Sequence, residues 1–243
     1  MPRASTDLQK VIMEFEKGNK DEIKSSRGFF DDFEICVNTV NHALIGITTF
    51  YITWYSFTVG FIEYQTYHAF FTTIGYQLFM SEGILAMYSN NTYTMGLRRK
   101  YKIRVHLGLM AIGGACALFG IPYQIYQRQI MNREHFHNTH GLVGLSSGIF
   151  LVLAILSGSP ALYSTELKRV IKPLLSKTVH NVLATVCYIL GMVAVISAYV
   201  TRSWLVKADP GEVRTIMIWM LSFILAFTLI GPLKTVFNLF RGR

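Results

Sequence analysis

Six long apolar windows, near residues 40–62, 66–88, 104–126, 138–160, 178–200 and 212–234, follow one another along the chain with short polar segments between them. Each holds the roughly 20 mostly apolar residues that a helix needs to cross a bilayer. The pattern predicts an all-α integral membrane protein, a six-transmembrane helix bundle whose successive helices run antiparallel. No soluble linker, long repeat or low-complexity tract interrupts the spans. The chain divides into an N-terminal segment (1–39), one transmembrane domain (40–234) and a short tail (235–243). Gly113, Gly114, Gly141, Gly144 and Gly148 are expected to let neighbouring backbones approach closely, as small residues do inside membranes.

Composition agrees with this picture. The chain is 51% hydrophobic and 15% charged, with a mean hydropathy of +0.36, whereas about 25% of residues are charged in a soluble domain. Cys36, Cys116 and Cys187 sit at or inside apolar segments and lack a paired metal or secreted-disulfide spacing, so they are expected to be packing residues. The first forty residues carry eight acidic and six basic side chains and no apolar stretch. No cleavable signal peptide is therefore expected, and the first span is expected to act as its own insertion signal. Phe29, Phe30, Phe33 and Ile35 are candidates for lying along the membrane surface.

Charge then sets orientation. The net +9 could suggest nucleic acid, but its placement argues otherwise: eighteen Lys and Arg lie on one side of the predicted membrane and five on the other. The richer side holds the N-terminus, the 89–104 loop, the 159–177 loop and the C-terminal end. The poorer side holds Arg128, Arg133, Arg202, Lys207 and Arg214. The positive-inside rule places both termini in the cytosol. The Asn90-Asn91-Thr92 sequon then falls on the cytosolic side, where no glycan is expected.

The histidines carry the candidate chemistry. Four of seven open four consecutive spans: His68 in "TYHAFF", His106 in "RVHLGL", His140 in "NTHGLVGL" and His180 in "TVHNVL". Because successive helices alternate in direction, His68 and His140 share one membrane face and His106 and His180 the other. Ionisable residues in spans are costly and usually face the bundle interior, where facing helices build metal and cofactor sites. Zinc usually wants more donors than two histidines, and no Cys, Asp or Glu with ligand spacing stands beside either pair. Haem iron needs only two axial ligands. The arrangement therefore fits two b-type haems held by a central four-helix core. A proton-coupled transporter or channel using intramembrane histidines is the alternative; it calls for polar residues near the midplane.

These same residues carry a resemblance. The four helix-opening histidines, the basic approach "RRKYKIRVH" to His106, the "HGLVGL" of the fourth span and the "SEG" of the second resemble the cytochrome b561 family from about residue 40 to the end. Many members have Pro after the first histidine, where this chain has Ala69. The resemblance, closest to the ascorbate-dependent ferric reductase branch, implies a six-helix transmembrane oxidoreductase with two haem b groups. It implies electron transfer from cytosolic ascorbate to ferric iron or monodehydroascorbate on the far side, in an endomembrane (endoplasmic reticulum or vesicle) or the plasma membrane, and a homodimer.

Substrate sites follow from charge. Ascorbate is an anion, so a docking site beside the cytosolic haem needs fixed positive charge. By resemblance to the family's cytosolic ascorbate site, Lys100 and Arg104, just before His106, are the candidates for it. Loop residues His135 and His137, with Arg128 and Arg133, are candidates for meeting the acceptor on the other side. Glu82 lies fourteen residues beyond His68, close to the same face at 3.6 residues per turn and about 21 Å further along the axis. It is either a functional carboxylate or a carboxyl tying two helices together. His42, at the cytosolic start of the first span, is expected to contact a haem propionate or a headgroup.

Overall fold

The structure, a computed structural model, describes residues 28–61, 64–200 and 211–241. Most of the N-terminal segment, including its six basic residues, and Arg202 and Lys207 lie outside the described residues. Every regular element among the described residues is helical: α1 Phe29–Val59, α2 Tyr64–Thr73, a π-helical turn Ile74–Met80, α3 Ser81–Leu85, α4 Arg99–Ile130, α5 Thr139–Leu162, a short 3-10 turn Glu166–Arg169, α6 Pro173–Val200 and α7 Gly211–Arg241. Five of these helices are long and apolar enough to cross a membrane. The second predicted span is the continuous rod α2–π turn–α3, which the π turn divides into shorter pieces.

Local chemistry sets the ends. Gly28 caps α1, whose first turn carries Asp31 and Asp32 against the positive end of the helix dipole. Gly60, at φ 81°, ends it in a conformation that only glycine adopts readily. Asn138 caps α5 by accepting the Gly141 N–H at 2.8 Å. Pro173 opens α6, where its missing N–H leaves no helical bond unmade. The helix α1 starts at Phe29, well before the apolar window, so Phe29, Phe30 and Phe33 stand exposed on helix that extends past the apolar stretch.

Prolines inside α4, α5 and α7 each remove one helical hydrogen bond. In lipid the freed carbonyl needs another donor. At Pro232 the freed carbonyl belongs to Thr228, four residues back. The Tyr88 hydroxyl donates to that carbonyl and accepts the Gly231 N–H at 2.7 Å. A hydroxyl network extends this contact, for Asn41 donates to Thr228 Oγ1 at 3.0 Å and Ser81 meets Tyr188 at 2.7 Å.

The helices pair off, the α2–α3 rod along α4 and α5 along α6, with α7 packed on α6 and α1. Close approach depends on particular glycines. A Cβ on Gly75 would lie 2.9 Å from the Gly113 carbonyl, and a Cβ on Gly113 would lie 2.9 Å from the Gly75 carbonyl. Of the five glycines expected to admit close backbones, Gly113 alone meets another helix so tightly. Gly114 and Gly148 have ordinary contacts, Gly144 faces open space, and Gly141 meets the Asn138–Phe136 loop. Small residues along an apolar helix do not reveal which face is packed; the packing partner decides. Cys187 is buried and Cys116 half-buried, whereas Cys36 is exposed on α1 and so does not pack within the bundle.

Gly191 gives the clearest packing test, because a Cβ there would clash with the edge of the Tyr76 ring, which is itself 2% exposed. Gly191→Ala should destabilise the protein by about 1–3 kcal/mol, the usual range for overpacking, seen as a lower thermal midpoint in detergent. Gly46→Ala, on the exposed face of α1 with open space at its Cβ, should leave the midpoint unchanged.

Candidate functional site

The four helix-opening histidines meet in two pairs at opposite ends of the bundle. The rings of His68 and His140 have centroids 6.0 Å apart with planes at 86°. Those of His106 and His180 are 6.5 Å apart with planes at 90°. All four lie within the first two turns or so of their helices, His68 following a helix start at Tyr64, so Ala69 sits in formed helix where Pro is absent.

One hydrogen-bond pattern serves all four. His68 Nδ1 donates to the Gly120 carbonyl at 2.9 Å, His106 Nδ1 to Gly83 at 2.8 Å, His140 Nδ1 to Ala194 at 2.9 Å and His180 Nδ1 to Ala154 at 3.2 Å. A carbonyl can only accept, so each Nδ1 carries the proton and each Nε2 presents a lone pair. This is the tautomer and fixed ring orientation of a metal-bound histidine.

The acceptors follow a repeat. On α5, His140, Ser147 and Ala154 are seven residues apart; on the antiparallel α6, His180, Cys187 and Ala194 are too. Each histidine reaches the carbonyl at the far end of the partner's series. Midway, Ser147 Oγ donates to the Cys187 carbonyl at 3.2 Å, while Cys187 Sγ faces the Ser147 carbonyl at 3.7 Å. The other pair repeats the scheme with His106, Gly113 and Gly120 on α4 against His68, Gly75 and Gly83. The last series holds one residue more between its midpoint and its end. The π turn Ile74–Met80 takes up that residue, since each π turn holds more residues than an α turn.

That turn corrects the expectation for Glu82. At a uniform 3.6 residues per turn, Glu82 would share the face of His68. The extra residue puts Gly83 in that place instead and rotates Glu82 toward α1, where its Oε1 accepts from His42 Nδ1 at 2.8 Å. His42 is 8% exposed, its other nitrogen lies 3.1 Å from Asn91 Nδ2, and its ring packs on Tyr93. Both of its ring nitrogens are thus engaged by protein groups, in a buried polar cluster that sequence periodicity could not place.

Room for a cofactor is visible at the His68–His140 end. Both histidines line a cavity of about 250 Å³ that runs out to Gln124, Arg128, His135 and His137. Two metal–nitrogen bonds of about 2 Å and two imidazole radii of about 1.1 Å put ring centroids about 6.2 Å apart, which both pairs match. Gly144, one turn beyond His140, opens on empty space in the same cavity. Gln124 Oε1 is buried there without a hydrogen-bond partner, and so is Asn181 Nδ2 beside His180 at the other end. No cluster of three or more His, Cys, Asp or Glu forms a metal site among the described residues. Two histidines and free space fit a macrocycle-bound iron, which brings its other four ligands with it.

The basic stretch before His106 is itself helical, so Lys100 and Arg104 stand one turn apart on one exposed face of α4. Tyr101 lies between them, 5.0 Å from Lys100 Nζ and 5.7 Å from Arg104 Cζ. Lys102 points the other way, buried, with its ammonium on the Tyr88 carbonyl. At the opposite end Arg128 donates to the Glu134 carbonyl, at 2.9 Å through Nε, and lies 3.5 Å from His137 Nδ1. His135 Nε2 lies 3.1 Å from Gln129 Oε1. Between the two histidines Phe136 has φ 51°, a left-handed conformation rare for a bulky residue, which turns the loop back over the cavity. Arg133 stands apart from this group, bonded to the Tyr64 hydroxyl at 2.9 Å. Asn90, the acceptor position of the sequon, donates to Asp31 and Glu34 at 3.0 and 3.1 Å.

Comparison with known proteins meets this geometry. The family model of eukaryotic cytochrome b561 matches residues 67–206, which include all four histidines. Transmembrane reductase CYB561D2 from Mus musculus, from Bos taurus and from Homo sapiens are each 27% identical over 127 residues. The match covers 52% of this chain and 56% of each relative, so the chain spans about half the length of the curated relatives it matches.

Proposed function

Because the chain belongs to the eukaryotic cytochrome b561 family, we propose that it transfers electrons across a membrane, from cytosolic ascorbate to ferric iron or monodehydroascorbate on the other side. His68 with His140 and His106 with His180 would hold two haem b groups. Iron bound by two histidines supplies one-electron redox chemistry with no open coordination position, which suits electron transfer rather than oxygen activation. The observation that carries this reading is the fourfold pattern of Nδ1–carbonyl bonds, which leaves two facing Nε2 lone pairs at each end of the bundle.

The protein's own residues divide the remaining work. The partner-helix carbonyls orient the histidines and fix their tautomer. Tyr76, Ser147 and Cys187 are buried between the two ends, Tyr76 and Ser147 forming the inner wall of the cavity at the His68–His140 end. The two histidine pairs lie at the ends of the bundle and not at that depth, which disfavours the transporter alternative. Lys100 and Arg104, on the richer positive side and therefore cytosolic, would receive the ascorbate anion. Arg128, His135 and His137 rim the cavity at the opposite end, where an anionic ferric chelate or the ascorbyl radical would approach.

A sealed-vesicle assay tests the proposal. With ascorbate enclosed on the Lys100 side and a ferric chelate outside, ferrous iron should accumulate outside while neither substrate crosses. A purified sample without a reducible b-type absorption spectrum, or vesicles that leave the chelate ferric, would overturn it.

A further inference from the structure

The buried cluster of Glu82, His42 and Asn91 has no part in the scheme above, yet it adjoins it. Glu82 immediately precedes Gly83, whose carbonyl holds His106. The hydrogen bonds fix the state of each member. Asn91 Oδ1 accepts the backbone N–H groups of Tyr93 and Thr94, at 2.9 and 3.0 Å, so its amide nitrogen is the end that faces His42. That N–H₂ can only donate, so His42 Nε2 is an acceptor and its proton sits on Nδ1. Nδ1–H then donates to Glu82 Oε1. Asn91 thus opposes an imidazolium at His42, and the Glu82–His42 pair carries one unbalanced negative charge.

Among the described residues no cation is paired with it. Lys102 is bonded to the Tyr88 carbonyl and Lys234 pairs with Glu34 at 3.0 Å. Among the described residues, the titratable groups facing the pair, itself formed between α1 and α3, are Tyr93 from the loop after α3, Tyr188 from α6 and, through Gly83, His106 from α4. None is a fixed positive charge. Glu82 Oε2 has no hydrogen-bond partner among the described residues, and the side chain is 21% exposed, so a proton can reach it.

We propose that Glu82 is a redox-linked proton site, taking up one proton when the adjacent His106–His180 centre gains one electron. An added electron and an unbalanced carboxylate repel each other, more strongly in a low-dielectric interior than in water. Protonating Glu82 Oε2 removes that repulsion. An O–H bond forms there, the proton comes from water, and the electron comes from the donor; when the electron leaves, the proton returns to water. The inference rests on the reading of His106 and His180 as haem ligands.

Equilibrium redox titration of the purified holoprotein at several pH values tests it. The midpoint of the His106–His180 haem should fall tenfold per pH unit in its reduction equilibrium constant, about 59 mV for a one-electron couple. The His68–His140 haem should stay flat. Glu82→Gln should keep both haems, abolish the slope and raise the midpoint, because a negative charge is gone; Glu82→Asp should restore the slope. Redox-difference infrared spectra of the unaltered protein give a reading independent of variant folding, since a protonated-carboxyl C=O band should grow on reduction. Two haems that both titrate without pH dependence, no such band, or a slope kept in Glu82→Gln would overturn this inference and leave the electron-transfer proposal standing. Absence of two reducible haems would instead defeat the proposal on which it rests.

Discussion

Alanine in place of His106 or His180 is expected to remove one of two haem signals completely and leave the other, and alanine at His68 or His140 to remove the converse one. The two ends are built independently. Each histidine is oriented by a carbonyl from the helix packed against its own, about two turns from the midpoint of its helix pair, and the two ends share none of these carbonyls. Loss of one imidazole therefore leaves the remote pair with both its ligands and both its carbonyl bonds. Separation in function should follow. Variants at His106 or His180 should lose rapid reduction by ascorbate, whereas variants at His68 or His140 should keep that first step and fail to pass electrons to the acceptor. Haem content by extraction and the absorption difference spectrum measure the first effect, stopped-flow reduction the second. Full two-haem content in any of the four variants would defeat the assignment of ligands.

Pairing by depth was legible in the sequence because it needs only two inputs: a histidine at the start of each of four spans, and the alternation of helix direction. The structure adds why the rings face each other, through carbonyls of Gly83, Gly120, Ala154 and Ala194, which carry no side-chain signal. Their spacing of fourteen or fifteen residues from a histidine is the trace they leave, visible once the partner helices are known. Glu82 was misplaced for a definite reason. Periodicity assumes a constant residue count per turn, and the π turn Ile74–Met80 changes it just where the extrapolation passes through. Lys102 was unreadable for a different reason: five basic residues in seven look alike, and only the fold separates the buried one from Lys100 and Arg104. Asn91 stands in a sequon that local pattern shows, while its role beside His42 depends on a loop bend that no local pattern announces.

Replacing Lys100 and Arg104 together should weaken the response to ascorbate by about 10- to 100-fold in half-saturating concentration, with both haems still bound. The magnitude follows from hydrogen bonds to a charged group, worth about 1.5–3 kcal/mol each and rarely fully additive. Exposed on one face of α4, the two side chains are free to meet a small anion, and Tyr101 holds their cationic ends on a common ring. Stacking on an exposed aromatic is worth about 0.5–1 kcal/mol, so Tyr101→Ala should produce a smaller loss, by leaving both cations in place but unordered. Salt separates steering from contact. At physiological ionic strength charge interactions are screened beyond about 8 Å, so the parent rate should fall as salt rises, and the double variant should lose most of that dependence. Lys102 serves as the control: its ammonium holds the Tyr88 carbonyl inside the protein, so Lys102→Met should lower thermal stability without changing the concentration dependence on ascorbate. An unchanged half-saturating concentration in the Lys100/Arg104 double variant, with both haems intact, would move the donor site away from this face of α4.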